Sequence, residues 1–147
     1  MAGRPILIAV DFEEASLRAL EAARAIAAGV GAPIVLVHVY RVPLYAYPSI
    51  DPLPIPPPMA FQPELDAAAR RSLAAFAVSA GIPASSTLVR EGDPAEEILA
   101  AAAAIDARMI AVGTHGRHGL AHVLLGSVAE DVVRRATVPV LTVRVPR

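Results

Sequence analysis

The chain contains no cysteine and, although it carries 13 basic residues, no lysine: every one of them is arginine. Without cysteine there is neither a disulfide framework nor thiolate chemistry. Without lysine there is no Schiff-base nucleophile and no Walker-type phosphate loop, whose lysine reaches the phosphates. The formal net charge is only -1, which argues against a broad basic face and hence against nucleic acid as a partner. No apolar run approaches the roughly 18 residues of a membrane span. The opening stretch MAGRPILIAVDFEE meets an acid after five apolar residues, a pattern unlike a secretory leader. The expectation is a cytoplasmic protein with no membrane partner.

What is present is apolar. Of 147 residues 55% are hydrophobic, and the mean hydropathy is +0.53. That length suits one domain, 1–147, with a sizeable core. Five short runs carry the strand signal: PILIAVD (5–11), PIVLVHVY (33–40), SSTLVREG (85–92), ARMIAVGTHG (107–116) and PVLTVRV (139–145). The first, second and fourth are nearly continuous Val, Ile, Leu, Met and Ala, as in strands covered on both faces. The third and fifth hold more polar positions and are expected toward the sheet edges.

Helical segments separate these runs. Residues 13–31 place Leu17, Leu20, Ala23 and Ala27 on one face, with Gly29 or Gly31 as the stop. Residues 63–81 space Leu65, Ala69, Leu73 and Phe76 likewise. Asp93, Pro94 and Glu96 form the start of a third helix, and Ser127 with Glu130 reads as a second capping box. The alternation β-α-β-α-β-α-β-α-β implies a doubly wound α/β fold. In such folds ligands sit beyond the strand carboxyl ends, where strand order reverses. Asp11, Val39 and the loop at Gly113 stand at such ends.

One segment does not fit. Residues 41–63 contain eight of the 14 prolines, which excludes a helix or a central strand. A long surface loop, partly polyproline II, is the plain reading; a lid or a docking strip is the functional one.

The chemistry concentrates in GTHGRHGLAHVLLGS, residues 113–127. Its spacing is Gly113-x2-Gly116-x9-Gly126-Ser127. Gly113 and Gly116 allow sharp backbone turns and close approach to a ligand. Gly126 and Ser127 open a helix, whose free N–H groups and dipole favour an anion. Arg117 adds charge to the loop, and His115 and His118 lie in reach of a phosphate held there. His115, His118 and His122 also form H-x2-H-x3-H, which has the look of a metal site. Zinc needs ligands converging on one point, and the surrounding glycines suit a loop whose backbone binds, so no protein-held metal is expected. His38, in an apolar strand, reads as a satisfied core histidine. Asp11 is open between capping the first helix and touching a ligand.

The glycine pattern, together with ILIAVDFEEASLRALEAA, IVLVHV, GDPAEEIL and GTHGRHGLAHVLLGSVAEDVVRRATVPVLTV, resembles the universal stress protein family, in the branch that binds ATP. The resemblance covers essentially the whole chain. It implies one five-stranded parallel sheet of order 3-2-1-4-5 with helices on both faces, and a homodimer formed through the last strand, 139–145. It further implies ATP, or AMP or ADP, at the carboxyl edge of the sheet. A Mg²⁺ or Mn²⁺ ion can accompany the phosphates while asking little of the protein. Carried over by position, Ala9 and Val10 would line the floor and Asp11 would contact ribose or adenine. Val39 and Val112 would pack on the base. Gly113, Gly116, Gly126, Ser127 and Val128 would hold the phosphates, with Arg117 and His118 beside them. Two positions depart from the family pattern: Arg108 stands where Asp is frequent, and Val112 where Met is.

The function these features suggest is a nucleotide-binding regulatory protein of the stress response. A slow ATPase is the enzymatic alternative, although no carboxylate lies in the motif to position a water. A dimeric interaction protein that binds no nucleotide is the other.

Overall fold

The computed structural model describes residues 3–42, 62–114 and 125–146. Five strands, β1 (Ile6–Ala9), β2 (Ile34–Tyr40), β3 (Thr87–Glu91), β4 (Met109–Thr114) and β5 (Val140–Arg144), form one sheet. Its order is β3-β2-β1-β4-β5 and all four pairings are parallel. The doubly wound α/β reading and its 3-2-1-4-5 order hold. The two runs with more polar positions, β3 and β5, are the edges.

Four helices cover the sheet: α1 (Glu14–Val30), α2 (Gln62–Ser79), α3 (Pro94–Ala104) and α4 (Ser127–Arg135). The alternation of strand side chains divides the core in two. Ile6, Ile8, Val10 and Leu36 face Leu20, Ala23 and Ala27 of α1 and Leu73 and Ala77 of α2. Leu7, Val37, Ile110 and Val112 face Ile98 and Ala101 of α3 and Ala129 and Val132 of α4. Ile6, Leu7, Ile8, Leu36, Leu73, Ile110 and Val132 are completely buried. Burial of each such side chain is worth about 1.5–3 kcal/mol relative to exposure. No described helix is long and apolar enough to cross a membrane.

Local chemistry sets the ends of the elements. Gly31 adopts the left-handed conformation at φ 63° and sends its N–H back to the Ala27 carbonyl, so it, and not Gly29, stops α1. Asp93 caps α3 by accepting the Glu96 N–H at 3.2 Å, with Pro94 at the first helical position. Leu17, expected on the buried face of α1, is instead 45% exposed. The buried stripe of α1 runs instead through Ala15, Ser16, Ala19, Leu20, Ala23 and Ala27.

Gly113, expected to end the fourth strand, is the last residue but one of β4 and is paired with Val143. A methyl group built on it would stand 2.5 Å from the Ala15 carbonyl carbon and 2.7 Å from the Ala15 carbonyl oxygen. The missing side chain is therefore what lets the first turn of α1 lie directly on β4. Gly29, also in α1, has nothing within 4 Å of such a methyl.

These two glycines should respond oppositely to alanine. Gly113→Ala is expected to lower stability by about 1–3 kcal/mol through overpacking against helix backbone. Gly29→Ala is expected to raise it by about 0.5–1 kcal/mol through helix propensity. Urea denaturation of the two variants beside the parent measures both; a neutral Gly113→Ala would contradict the close-packing role.

Candidate functional site

The strand order reverses at β1, with β2 on one side and β4 on the other. At the carboxyl end of this switch point lies a cavity of about 470 Å³, within the range of small-molecule sites. Ala9, Val37, Val39 and Val112 form an apolar floor on the α3/α4 side of the sheet. Pro94 and Ile98 of α3 make one wall, and Gly126 to Ala129 at the start of α4 make another. The turn from β1 into α1 contributes Val10, Asp11, Glu13 and Ser16, with Gly113 beside it.

That turn is tightly built. Phe12 adopts a left-handed backbone, φ 66°, a conformation costly for a bulky side chain. The Asp11 carboxylate accepts the Glu13 N–H through Oδ1 at 2.9 Å. Ser16, 2% exposed, donates its hydroxyl to the Glu13 carbonyl at 3.0 Å and accepts the Asp11 N–H at 3.4 Å. The Phe12 ring rests 4.6 Å from the His38 ring and 5.9 Å from that of Phe76, centroid to centroid. His38 is satisfied as expected, its Nδ1 donating to the Val10 carbonyl at 2.7 Å. Asp11 is not the N-cap of α1; Glu13 holds that position, with an extended backbone and no side-chain cap bond.

Besides α1, two helices start at the cavity, and they differ. At α3 the Asp93 carboxylate already accepts the Glu96 N–H, and its other oxygen meets Arg41 at 2.7 Å. At α4 the N-cap position is Gly126, with no side-chain cap. The first N–H groups of a helix have no intrahelical carbonyl to meet, and among the described residues no side chain caps those of Ser127 and Val128. The capping box expected here does not form. Ser127 is already the first helical residue, and Glu130 instead pairs with Arg134 at 2.6 Å. An anion is favoured at α4, where the dipole is positive and no carboxylate caps the helix end.

Beside the cavity, where β2 ends, a second polar group forms. The Tyr40 hydroxyl donates to Asp66 at 3.2 Å, and Asp66 pairs with Arg70 at 2.6 Å. Gln62 donates to Glu91 at 2.8 Å. Burial, reinforced by the Asp66 charge and its hydrogen bond, pushes the Tyr40 phenol up from its usual value. The Arg70 guanidinium bound to Asp66 holds that carboxyl below the usual carboxylate range.

Of the residues singled out in the sequence, Ala9, Val10, Asp11, Val39, Val112, Gly113, Gly126, Ser127 and Val128 all line this one cavity. Gly116, Arg117 and His118 lie outside the described residues, as do His115, His122 and 43–61 of the proline-rich segment. Sequence reasoning missed Glu13, Ser16, Val37, Pro94, Ile98 and Ala129. For Pro94 and Ile98 the signal was available: the capping motif at Asp93 placed a helix start at the same sheet edge. Among the described residues no group of three or more His, Asp or Glu is arranged to hold a metal.

The family model of the universal stress protein family matches residues 3–144. A universal stress protein of Thermus aquaticus, encoded in the 3′ region of a QAH/OAS sulfhydrylase, is 35% identical over 143 residues, covering 96% of this chain and 98% of that one. The solved structure of the hypothetical protein MJ0577, of Methanocaldococcus jannaschii, superposes with a TM-score of 0.76 at 23% identity, covering 100% of this chain and 99% of that one. A universal stress protein solved in complex with cAMP superposes with a TM-score of 0.60 at 26% identity and covers 98% of each chain.

The Tyr40 group has a measurable signature. In a Tyr45→Phe/Tyr47→Phe background, ultraviolet titration should show the remaining phenol ionising above the ordinary tyrosine value of about 10. Asp66→Asn should bring it only part of the way back, because burial, the largest single cause, and the Glu91 charge remain. A raised phenol stabilises the fold below that ordinary value, and the contribution is lost as pH climbs through the raised one. An ordinary titration in the parent would refute the buried hydrogen bond.

Proposed function

The chain belongs to the universal stress protein family, and on that footing we propose that it is a regulatory module that binds an adenine nucleotide, ATP in the first instance, at the switch-point cavity. The observation that carries this reading is the pairing, within one cavity, of the Asp11 carboxylate with the uncapped start of α4. A nucleotide has matching parts. Its base is flat and largely apolar and suits the floor of Val37, Val39 and Val112. Its sugar hydroxyls are donors and suit Asp11. Its phosphates are anions and suit the backbone N–H groups at Ser127 and Val128. Charge-assisted bonds of this kind contribute about 1.5–3 kcal/mol each, so two or three suffice to retain a phosphate group.

Gly116, Arg117 and His118 belong to the same reading, as the part of the glycine loop that runs between β4 and α4. The phosphates carry any Mg²⁺ or Mn²⁺ with them, and the protein supplies the pocket. A universal stress protein of similar fold has been solved in complex with cAMP, which supports a nucleotide as the class of ligand. Binding rather than turnover is the role assigned, in a cytoplasmic setting.

The reading also takes the protein as a homodimer through residues 139–145. β5 is an outer strand of the sheet, hydrogen-bonded to β4 on one side. An open edge is a template for pairing with a second strand.

Two measurements test these statements. Protein purified, denatured and examined by mass spectrometry should release an adenine nucleotide, and the Gly126→Val/Ser127→Val variant should release none. Equilibrium dialysis with ATP should show the variant weaker by about tenfold or more, because the two branched side chains obstruct the phosphate's approach to N–H groups that the variant keeps. No adenine-nucleotide binding by the parent would sink the proposal. Analytical ultracentrifugation should give twice the chain mass of 15.3 kDa; a monomer at micromolar concentration would remove the dimer from it.

A further inference from the structure

We propose that Ser16 is a positioning residue of the nucleotide site: its buried hydroxyl closes the β1–α1 turn and thereby aims the Asp11 carboxylate into the cavity. This inference rests on the nucleotide-binding reading and assigns a role within it.

Asp11 stands two residues beyond the last residue of β1 and three before the first of α1. Nothing in either element fixes its orientation by itself. The connection between them contains a left-handed Phe12, which the backbone of an aromatic residue disfavours and which persists only where its surroundings over-determine it. Two sets of contacts do so. On one side of the sheet the Phe12 ring packs against His38 and Phe76. On the cavity side Ser16 joins both ends of the turn through one oxygen, donating to the Glu13 carbonyl and accepting from the Asp11 N–H.

The placement of Ser16 is unusual for a serine. It sits in the first turn of α1 at 2% exposure and still borders the cavity. A buried hydroxyl without partners is costly, and this one has both a donor and an acceptor. The same backbone N–H and carbonyl could be met by water in a looser turn. Meeting them with a side chain anchored in α1 makes the direction of Asp11 depend on the helix, which is itself seated on Gly113 of β4. The carboxylate is thus referenced to β4, whose Gly113 borders the cavity beside the turn.

The consequence is specific to the sugar. If Ser16 acts through Asp11, removing its hydroxyl weakens ligands that offer sugar hydroxyls and leaves the others alone. A merely structural serine would affect both alike.

Isothermal titration of ATP and of 2′,3′-dideoxy-ATP, which lacks those hydroxyls, separates the cases. It is run where circular dichroism shows each variant folded. The parent should bind ATP about tenfold more tightly than the dideoxy analogue, the value of one hydrogen bond to a charged group. Ser16→Ala should lose most of that preference while binding the analogue within about twofold of the parent. Asp11→Asn should do the same, and Ser16→Ala/Asp11→Asn should lose no more than Asp11→Asn alone. Ser16→Thr keeps the hydroxyl in a tighter space and should keep the preference even if it melts earlier. That separates the lost hydroxyl from lost packing. Equal weakening of both ligands in Ser16→Ala, or a preserved preference, overturns the positioning role. A Ser16→Thr variant that folds and loses the preference overturns it as well. A parent that binds neither ligand overturns the nucleotide reading itself.

Discussion

The contact on which the site depends is that between Gly113 and the backbone of Ala15. Helices ordinarily rest on a sheet through side chains, which keeps their axes well clear of the strands. Here one strand position has no side chain, and the helix start descends onto it until a single methyl would collide. Three consequences follow from that close approach. The β1–α1 turn is drawn over the junction of β1 and β4, and Asp11 is brought to the rim. The turn must also be short enough to force Phe12 into the left-handed region. Because β1 and β4 are the two strands at which the sheet changes direction, this contact shapes one side of the only kind of crevice a doubly wound sheet provides.

Much of this was legible in the residues. The continuous apolar runs identified the three inner strands, and the polar positions of β3 and β5 marked them as edges. Period and capping placed four helices, because Asp93-Pro94 and Gly31 use backbone chemistry that few other residues can supply. Other features depend on what the chain meets after folding. Gly113 looked like a turn glycine because glycine is most often needed for its dihedral freedom; its need for space is set by Ala15, nearly a hundred positions away in the chain. Ser127 and Glu130 had capping-box spacing, yet the helix begins one residue earlier in register than that box needs. Ser16 carries no motif at all, since its partners, Asp11 and Glu13, are backbone groups that any residue type could present.

The cavity is electrically asymmetric. Asp11 and Glu13 stand on one side and the exposed N–H groups of α4 on the other. An anion alone would be drawn to α4 but repelled by the Asp11 carboxylate, and a neutral polyol would meet only Asp11. On the proposed reading, a molecule that joins a hydroxylated part to an anionic part meets both. The apolar floor between them sets the spacing at which the two parts must be held. The same asymmetry distinguishes α3 from α4: Asp93 caps the first helix end and is itself paired with Arg41, whereas no side chain among the described residues caps the second.

The two ends of segment 43–61 leave and rejoin the described structure within a small region. Arg41 is tied to Asp93, and Tyr40 reaches across to Asp66 near the start of α2, which Gln62 links to Glu91. A segment whose ends are already held together carries an entropic cost that grows only with the logarithm of its length, about 0.6 kcal/mol for each doubling. The side-chain clasp at its base holds β2, the start of α2 and the start of α3 together whatever the length of chain between residues 42 and 62. A change in that length is therefore thermodynamically inexpensive.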